Sequence, residues 1–229
     1  MIKNYFKIAL RNIKRYSTYS ILNLSGLAIG MATAILILLW VQNEVSYDRF
    51  HKNADNLYRV LQNFYFGEGK AYPVAVTPAP LAPALKEEYP EIIRASRYQS
   101  YPMPLQKGDE YINEVFALVD KDFLEMFNIK FVHGDIQSAL TGPHNIAITE
   151  EMADKYFADE DPIGKTLTSK GYVFTVTGVV QRLPQNSHIQ FDFLVSSGFL
   201  TEFRGSNLNN WGGSSFFPIL NYIKGQIVN

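Results

Sequence analysis

The sequence predicts an α+β protein in which one transmembrane helix precedes a mixed extracytoplasmic domain. Residues 16–43 carry no charged side chain. The region after them alternates short runs typical of β-strands with short helical runs. The whole chain has no cysteine, so this region must be held together by an ordinary hydrophobic core. About 185 residues follow the uncharged stretch, enough for one large domain or two small lobes.

Residues 1–15 are predicted to form a basic amphipathic helix. The apolar side chains share one helical face, namely Ile2, Tyr5, Phe6, Ala9, Leu10 and Ile13. The basic residues are Lys3, Lys7, Arg11, Lys14 and Arg15, and no acidic residue precedes position 44. Such a helix is expected to lie in the membrane interface, with its cations against anionic headgroups. A topology signal with no further role would explain the same charges.

Residues 16–43 are predicted to form the transmembrane helix. Their apolar centre, 21–41, spans about 30 Å as a helix, which matches the hydrocarbon core of a bilayer. Trp40 suits an anchor at the outer interface. A cleaved signal peptide would be shorter and would end at small residues, whereas this stretch ends Leu38-Leu39-Trp40-Val41. The basic N-terminus predicts an anchor with residues 1–15 inside and residues 44–229 outside.

Small residues recur on one face of the predicted span. Gly26 and Gly30 form a G-x-x-x-G pattern, and Ala34 extends it by one more turn. Small side chains let two membrane helices approach closely, although glycine is common in membrane helices in general. The pattern predicts that Gly26, Gly30 and Ala34 pack against another helix.

The charge distribution differs between the two parts of the chain. The first 43 residues hold five basic residues and no acidic one, whereas the remainder holds 16 basic and 22 acidic residues. An acidic extracytoplasmic domain argues against a nucleic-acid partner.

The outer region is predicted to contain seven strands and three helices. The predicted strands are 57–66, 92–98, 111–119, 145–149, 172–180, 189–195 and 217–224. The predicted helices are 81–88, 122–127 and 150–157. A proline-bearing loop is expected between the first strand and the first helix. Thr149 is expected to cap the third helix, and the last strand is expected to lack a closing partner.

No metal or cofactor site is predicted. Four histidines are scattered without the spacing of metal ligands and are expected at the surface or in loops, namely His51, His133, His144 and His188. Gly164-Lys165-Thr166 resembles the end of a phosphate-binding loop. However, Asp159 stands where that motif needs a glycine, and the run leads into a strand.

No catalytic residue is predicted either. The acids at 150, 151 and 154 fit a solvated helix face, and those at 159–161 lack the spacing of a calcium loop. Ser187-His188 lacks the G-x-S-x-G pattern of a nucleophile elbow. We therefore do not expect an enzyme.

Several ordered segments resemble the MacB/FtsX-like ABC transporter permeases, in the form common in the Bacteroidota. The opening reads FKIALRNIKRYSTYSILNLSGLAIGMA and is followed by EVSYDRFHKNADNLYRV. Later segments are similar to the MacB-like periplasmic core domain: FNIKFVHGD, NIAITEEMADKYF, DPIGKTL, YVFTVTGVVQRLPQNSHIQFDFLVS and the isolated WG at 211–212. The resemblance covers essentially the whole chain.

The resemblance implies a periplasmic region of two α/β lobes, one porter-like and one inserted. It also implies three further transmembrane helices after position 229, so the chain is expected to be an N-terminal portion. The implied partners are a separate cytoplasmic ATPase, a second permease copy, and a periplasmic adaptor or cargo. ATP hydrolysis by that ATPase would drive export or efflux. The alternative is a single-span, membrane-anchored binding or sensing module with no transport role.

Overall fold

The computed structural model describes residues 2–66, 69–204, 208–211 and 219–223. It divides the chain into two compact units, Met1–Tyr47 and Asp48–Asn229.

The first unit consists of two helices, α1 (Ile2–Arg15) and α2 (Ser17–Val45). α2 has 29 residues, reaches a mean hydropathy of 2.3 in its most apolar stretch and buries none of its side chains. By length and composition it is able to cross a membrane. α2 ends two residues beyond the predicted range. Glu44 and Val45 are still helical, and the turn begins at Ser46.

The second unit is built on a mixed sheet, which confirms the predicted α+β class. Its strands are β1 (Leu57–Val60), β2 (Gln62–Phe66), β3 (Lys70–Val74), β4 (Ile92–Lys107), β5 (Glu110–Val119), β6 (Phe131–Gly134), β7 (Asn145–Thr149), β8 (Thr166–Ser169), β9 (Tyr172–Val180), β10 (Phe193–Ser196) and β11 (Ile219–Ile223). Its helices are α3 (Leu81–Glu88), α4 (Asp122–Met126), α5 (Glu150–Phe157) and α6 (Phe199–Arg204).

Nine of the strands form one sheet in the order β1-β11-β4-β5-β10-β7-β9-β6, with β8 paired to β9. β2 and β3 form a separate two-stranded ribbon. The long strand β4 joins two parts of the sheet, because its first residues pair with β11 and the residues from Tyr98 onward pair with β5. The structure groups residues 48–229 into one compact unit, and the two expected lobes stay a prediction.

The larger part of the sheet is covered on both faces. Phe193 and Val195 of β10 face a core closed by α5 and α6, while Leu194 faces a core closed by α4. All three side chains are fully buried. A strand buried on both faces reads as a continuous apolar run, as Phe193, Leu194 and Val195 do.

β4 runs far beyond the predicted strand 92–98, and its prolines explain the difference. Pro102 and Pro104 lie opposite Val115 and Asn113 of β5. The two prolines are two residues apart, so their backbone nitrogens lie on the same edge of β4. That edge faces away from β5, so the missing N–H groups remove no hydrogen bond from the β4–β5 ladder. The strand therefore continues through both prolines, past the predicted end at Tyr98.

Other predicted bounds change as well. The strand expected at 57–66 breaks at Leu61 into β1 and β2, and Pro73 lies in β3 rather than in a loop. Of the strand expected at 189–195, only Phe193–Val195 is part of a strand, which continues to Ser196 as β10. β11 pairs on both sides, with β1 and β4, so the expectation of an unpartnered last strand is wrong. Positions 217, 218 and 224 of that predicted strand lie outside the described residues.

Candidate functional site

The predicted helix-packing residues lie on one face of α2. Gly26, Gly30 and Ala34 are four residues apart, and all three are exposed. A Cβ atom added at either glycine would meet no atom within 4 Å, so this face leaves room for another helix. Its packing role stays a prediction.

The predicted interface residues are exposed on the same unit. Lys3, Lys7, Arg11, Lys14 and Arg15 all lie on α1, where apolar residues occupy a separate face. Trp40 lies in the last turns of α2, with 65% of its surface exposed. Contact of these residues with a membrane also stays a prediction.

A polar cluster begins three residues after the end of α2, and we call it the Asp48 joint (Asp48, His51, Ser187 and His188). The Asp48 carboxylate accepts hydrogen bonds from Ser187 Oγ at 2.8 Å, from the His188 backbone at 3.1 Å and from His188 Nδ1 at 2.7 Å. The Asp48 backbone N–H donates to the Asn186 carbonyl at 3.0 Å. The joint thus ties the first residue of the outer unit to the loop that precedes β10.

Two features show how this joint is built. Asp48 has a φ of 56°, in the left-handed region that aspartate tolerates better than most residues. Burial would raise the pKa of Asp48, but the hydrogen bonds from His188 and Ser187 outweigh burial and hold that pKa below its usual value. The carboxylate is therefore ionised at neutral pH.

His51 forms the inner wall of the joint, and it lies in a loop, as expected, but is buried there rather than at the surface. Its side chain is only 1% exposed, and its ring packs edge-on against Phe127 at 5.0 Å between centroids. Nδ1 donates to the Phe127 carbonyl at 3.2 Å, which fixes the proton of the neutral ring on that nitrogen. Burial lowers the pKa of His51, so the ring is neutral at pH 7 and Nε2 presents a lone pair.

The serine, histidine and aspartate of the joint are not arranged as a nucleophile and base. Ser187 and His188 both donate to Asp48, so the serine proton is committed to the carboxylate. A hydrolytic triad instead needs the serine to donate to the histidine. The arrangement is that of a clamp on the loop at 184–189.

A second polar cluster lies where β4 changes partner. Arg97 makes a two-pronged contact with Asp120, from Nε at 2.8 Å and from Nη2 at 2.6 Å, and Ser197 Oγ also donates to that carboxylate. Burial would raise the pKa of Asp120, but Arg97 and Ser197 hold it below its usual value. The pair links β4 to the ends of β5 and β10, at the seam between the two parts of the sheet.

A third cluster surrounds a buried carboxylate of β5. Glu114 is 5% exposed and accepts hydrogen bonds from Lys155 and Tyr156 of α5, each at 2.6 Å. Burial and Glu114 raise the pKa of Tyr156, which keeps its phenol protonated as a donor. This cluster holds α5 against the sheet.

The other sequence candidates fit structural roles. Lys165 pairs with Glu160 and precedes β8, as the expected strand requires. Within the described ranges, no group of three or more histidine or acidic side chains is placed to hold a metal ion. Thr149 caps α5 as predicted, with its Oγ1 accepting from the Met152 backbone at 3.4 Å.

No local pattern of residues predicts the two main polar clusters. Asp48 and Ser187 are 139 positions apart, and Arg97 and Ser197 are 100 positions apart. Only the sheet topology brings such residues together. A turn of polar residues directly after an apolar helix was the one available hint for Asp48.

The chain is similar to several solved domains. A domain from a Porphyromonas gingivalis permease protein has a TM-score of 0.67 and 25% identity, over 79% of this chain and 78% of that one. The periplasmic region of MacB from Actinobacillus actinomycetemcomitans has a TM-score of 0.55 and 17% identity, over 75% and 76%. The extracellular domain of YknZ, a transporter of Gram-positive bacteria, has a TM-score of 0.56 and 15% identity, over 74% and 84%. The last two likenesses bear on the fold alone.

Sequence comparison agrees with the fold. The chain is 27% identical over 210 residues to the uncharacterized ABC transporter permease YvrN of Bacillus subtilis (strain 168). That match covers 82% of this chain and 49% of YvrN, so the chain spans about half of the length of this curated relative. The pattern of the MacB-like periplasmic core domain matches residues 20–219. The chain therefore belongs to the MacB-like periplasmic core domain family of ABC transporter permeases.

Proposed function

We propose that this chain forms the N-terminal part of a permease that couples ATP hydrolysis by a separate cytoplasmic ATPase to export or efflux across the cytoplasmic membrane. The supporting observation is a single family match that runs from the apolar helix through the outer sheet, residues 20–219. The chain matches about half of the length of YvrN, and YvrN is described as an ABC transporter permease.

In this proposal the regions of the chain have separate tasks. Residues 1–15 lie along the inner interface, residues 16–43 cross the bilayer, and residues 44–229 lie in the periplasm. The five basic residues before the span and the acidic balance after it support this orientation. The face of Gly26, Gly30 and Ala34 packs against a second permease copy or another helix of the same permease.

The Asp48 joint gives the proposal a mechanical element. Because Asp48 follows Val45 by three residues, any displacement of the end of α2 reaches the outer domain first through this joint. Its three hydrogen bonds to residues 187 and 188 pass that displacement to the loop that leads into the central strand β10. The outer surface then contacts a periplasmic adaptor or the cargo.

The test of the ATPase partner is affinity purification of the full-length gene product from native membranes in mild detergent. We expect an ABC-type ATPase at a stoichiometric ratio and ATP hydrolysis that vanadate inhibits. A purified full-length product with no ATPase and no hydrolysis would contradict the proposal and would favour an anchored binding or sensing module.

The test of the joint uses that purified complex. Asp48→Asn should leave ATP hydrolysis in place but abolish any ATP-dependent change in amide hydrogen exchange at 184–189, because the carboxylate no longer holds the loop. Asp159→Asn, an exposed site, serves as the control. Equal responses in both variants would remove the joint from the mechanism.

A further inference from the structure

A shallow groove on the outer unit runs beside the Asp48 joint, and we call it the basic groove. It encloses about 340 Å³ and lies between the turn at 50–52, the turn at 127–130 and the loop at 181–184. Its rim carries Lys52, Lys130 and Arg182, together with the apolar residues Phe50 and Leu183. A positive groove is unexpected on a region that holds 22 acidic and 16 basic residues.

The charges of this groove are only partly neutralised. Arg182 pairs with Glu151 and lies 3.7 Å from Asp192. Lys52 and Lys130 are exposed, and neither makes an ion pair with any residue that the structure describes. Two free ammonium groups at the mouth of a groove favour an anionic occupant.

The wall of the groove is polar as well. His51 Nε2 and Asn128 Nδ2 are both buried, and neither has a hydrogen-bond partner within the described part of the chain. One is an acceptor in the neutral ring and the other is a donor. Both atoms have almost no exposed surface, so they lie behind the wall and add to its polarity without contacting an occupant directly.

Covalent connectivity limits how far the groove lies from the membrane. Phe50 follows Val45, the last residue of α2, by five residues. Consecutive Cα atoms are at most about 3.8 Å apart, so Phe50 lies within about 19 Å of the end of that helix. If α2 spans the bilayer, lipid headgroups are the anions with the highest local concentration at this groove.

We propose that the basic groove binds the headgroup of an anionic phospholipid from the adjacent leaflet. Lys52 and Lys130 contact the phosphate as point charges, and exposed Phe50 rests on the acyl boundary. This proposal rests on α2 being a membrane span, and it needs no ATPase. An acidic segment of another protein is the competing occupant, but the short link from the end of α2 favours lipid headgroups, because it keeps the groove close to the bilayer surface.

The test is native mass spectrometry of the full chain in detergent, titrated with dioctanoyl phosphatidylglycerol. We expect the variant Lys52→Gln/Lys130→Gln to weaken one binding event by about tenfold or more, because each cation near a lipid surface strengthens binding. The control, Lys70→Gln/Lys170→Gln, removes the same charge from two exposed positions, one at the start of β3 and one in the turn after β8, and should bind as the original chain does. Lipids bound at α1 are a constant background in all three proteins.

Three outcomes would overturn the proposal. The groove variant and the control could bind phosphatidylglycerol equally, dioctanoyl phosphatidylcholine could bind the groove as tightly as phosphatidylglycerol, or equimolar inorganic phosphate could displace the lipid. The second outcome would remove the role of charge, and the third would indicate a free-anion site. The assay contains no ATPase, so its failure is separable from failure of the transport proposal.

Discussion

Apolar side chains are exposed in the first unit of this chain and buried in the core of the second. Phe6 on α1 is 71% exposed, whereas Phe116 on β5 is fully buried. α2 has the most apolar composition of the helices that the structure describes, yet it buries no residue. The outer unit covers both faces of the larger part of its sheet with its own helices and loops. The outer unit therefore supplies its own core, while the helical unit requires lipid or another protein to cover it.

The largest expected effect concerns the core of the outer unit. Phe193→Ala should lower the free energy of unfolding by about 3–5 kcal/mol, because the ring is fully buried and stacks on Phe116 at 4.7 Å between centroids. Urea titration of the full chain in detergent, followed by far-UV circular dichroism, measures this loss.

The matched control for that change is Val173→Ala, at a side chain that is 51% exposed. It should change the unfolding free energy by no more than about 0.5 kcal/mol. Similar losses at both positions would mean that β10 is not central to the outer core. Phe193→Leu, with a smaller expected loss, covers the case in which the alanine variant does not fold.

The next effect concerns the helical unit. Met31→Arg, near the middle of α2, should raise the apparent free energy of membrane insertion by about 2.5–3.5 kcal/mol, since a charge is costly at the centre of a bilayer. A translocon insertion assay on the full chain measures it.

Tyr111→Arg is the control for the helical unit, because Tyr111 is 62% exposed and Met31 is 55% exposed. The tyrosine site faces water, so arginine there should leave both insertion and folding unchanged. If the two arginines behaved alike, exposure on α2 would mean contact with water rather than with lipid.

Low pH should destabilise the outer unit, whereas residues 16–43 should not respond to it. The pKa of Asp120 is lowered in the folded protein, so its stabilising contribution is complete above the unfolded pKa of about 3.9 and is lost as pH falls through the folded value. Residues 16–43 hold no charged group and give no such dependence. We expect Asp120→Asn to lower stability by about 1–3 kcal/mol at pH 7 and to flatten the decline below pH 4.

Urea titrations from pH 7 to pH 3 test this expectation on the outer unit. Asp159→Asn is the comparison, because Asp159 is exposed and makes no ion pair within the described residues. A decline with the same slope in both variants would show that Asp120 does not carry the acid sensitivity.

The smallest effect concerns helix association. Gly30→Ile should weaken pairing of the segment 16–43 in a membrane two-hybrid reporter, since a branched side chain fills the space that the glycine leaves open. Leu36→Ile, an apolar exchange away from the small-residue face, is the control. Equal signals from the original segment and Gly30→Ile would contradict a packing role for this face.

Local patterns were enough to predict much of the fold. The helices 81–88 and 150–157 and the strands 145–149 and 172–180 match the structure residue for residue, because periodicity and the Thr149 cap set them locally. The errors arose where tertiary context decides. Prolines were tolerated on the open side of β4, and Ile189 and Phe191 are buried in the core without joining a strand.

The candidate site was less predictable for the same reason. The exposed faces of α1 and α2 follow from helical spacing, so Gly30 and the basic residues could be named from sequence. Asp48 and His188 meet only because the loop before β10 returns to the start of the outer unit. A contact across 140 positions leaves no trace in a single sequence.

The most direct test of the account is whether residues 1–15 and the outer domain lie on opposite sides of a membrane. The chain has no cysteine, so Asn4→Cys and Asp159→Cys each introduce a single labelling site. In spheroplasts treated with a membrane-impermeant maleimide, we expect the cysteine at 159 to be labelled and the cysteine at 4 to be labelled only after lysis. Labelling of position 4 in intact spheroplasts, or protection of position 159, would contradict an anchored extracytoplasmic domain.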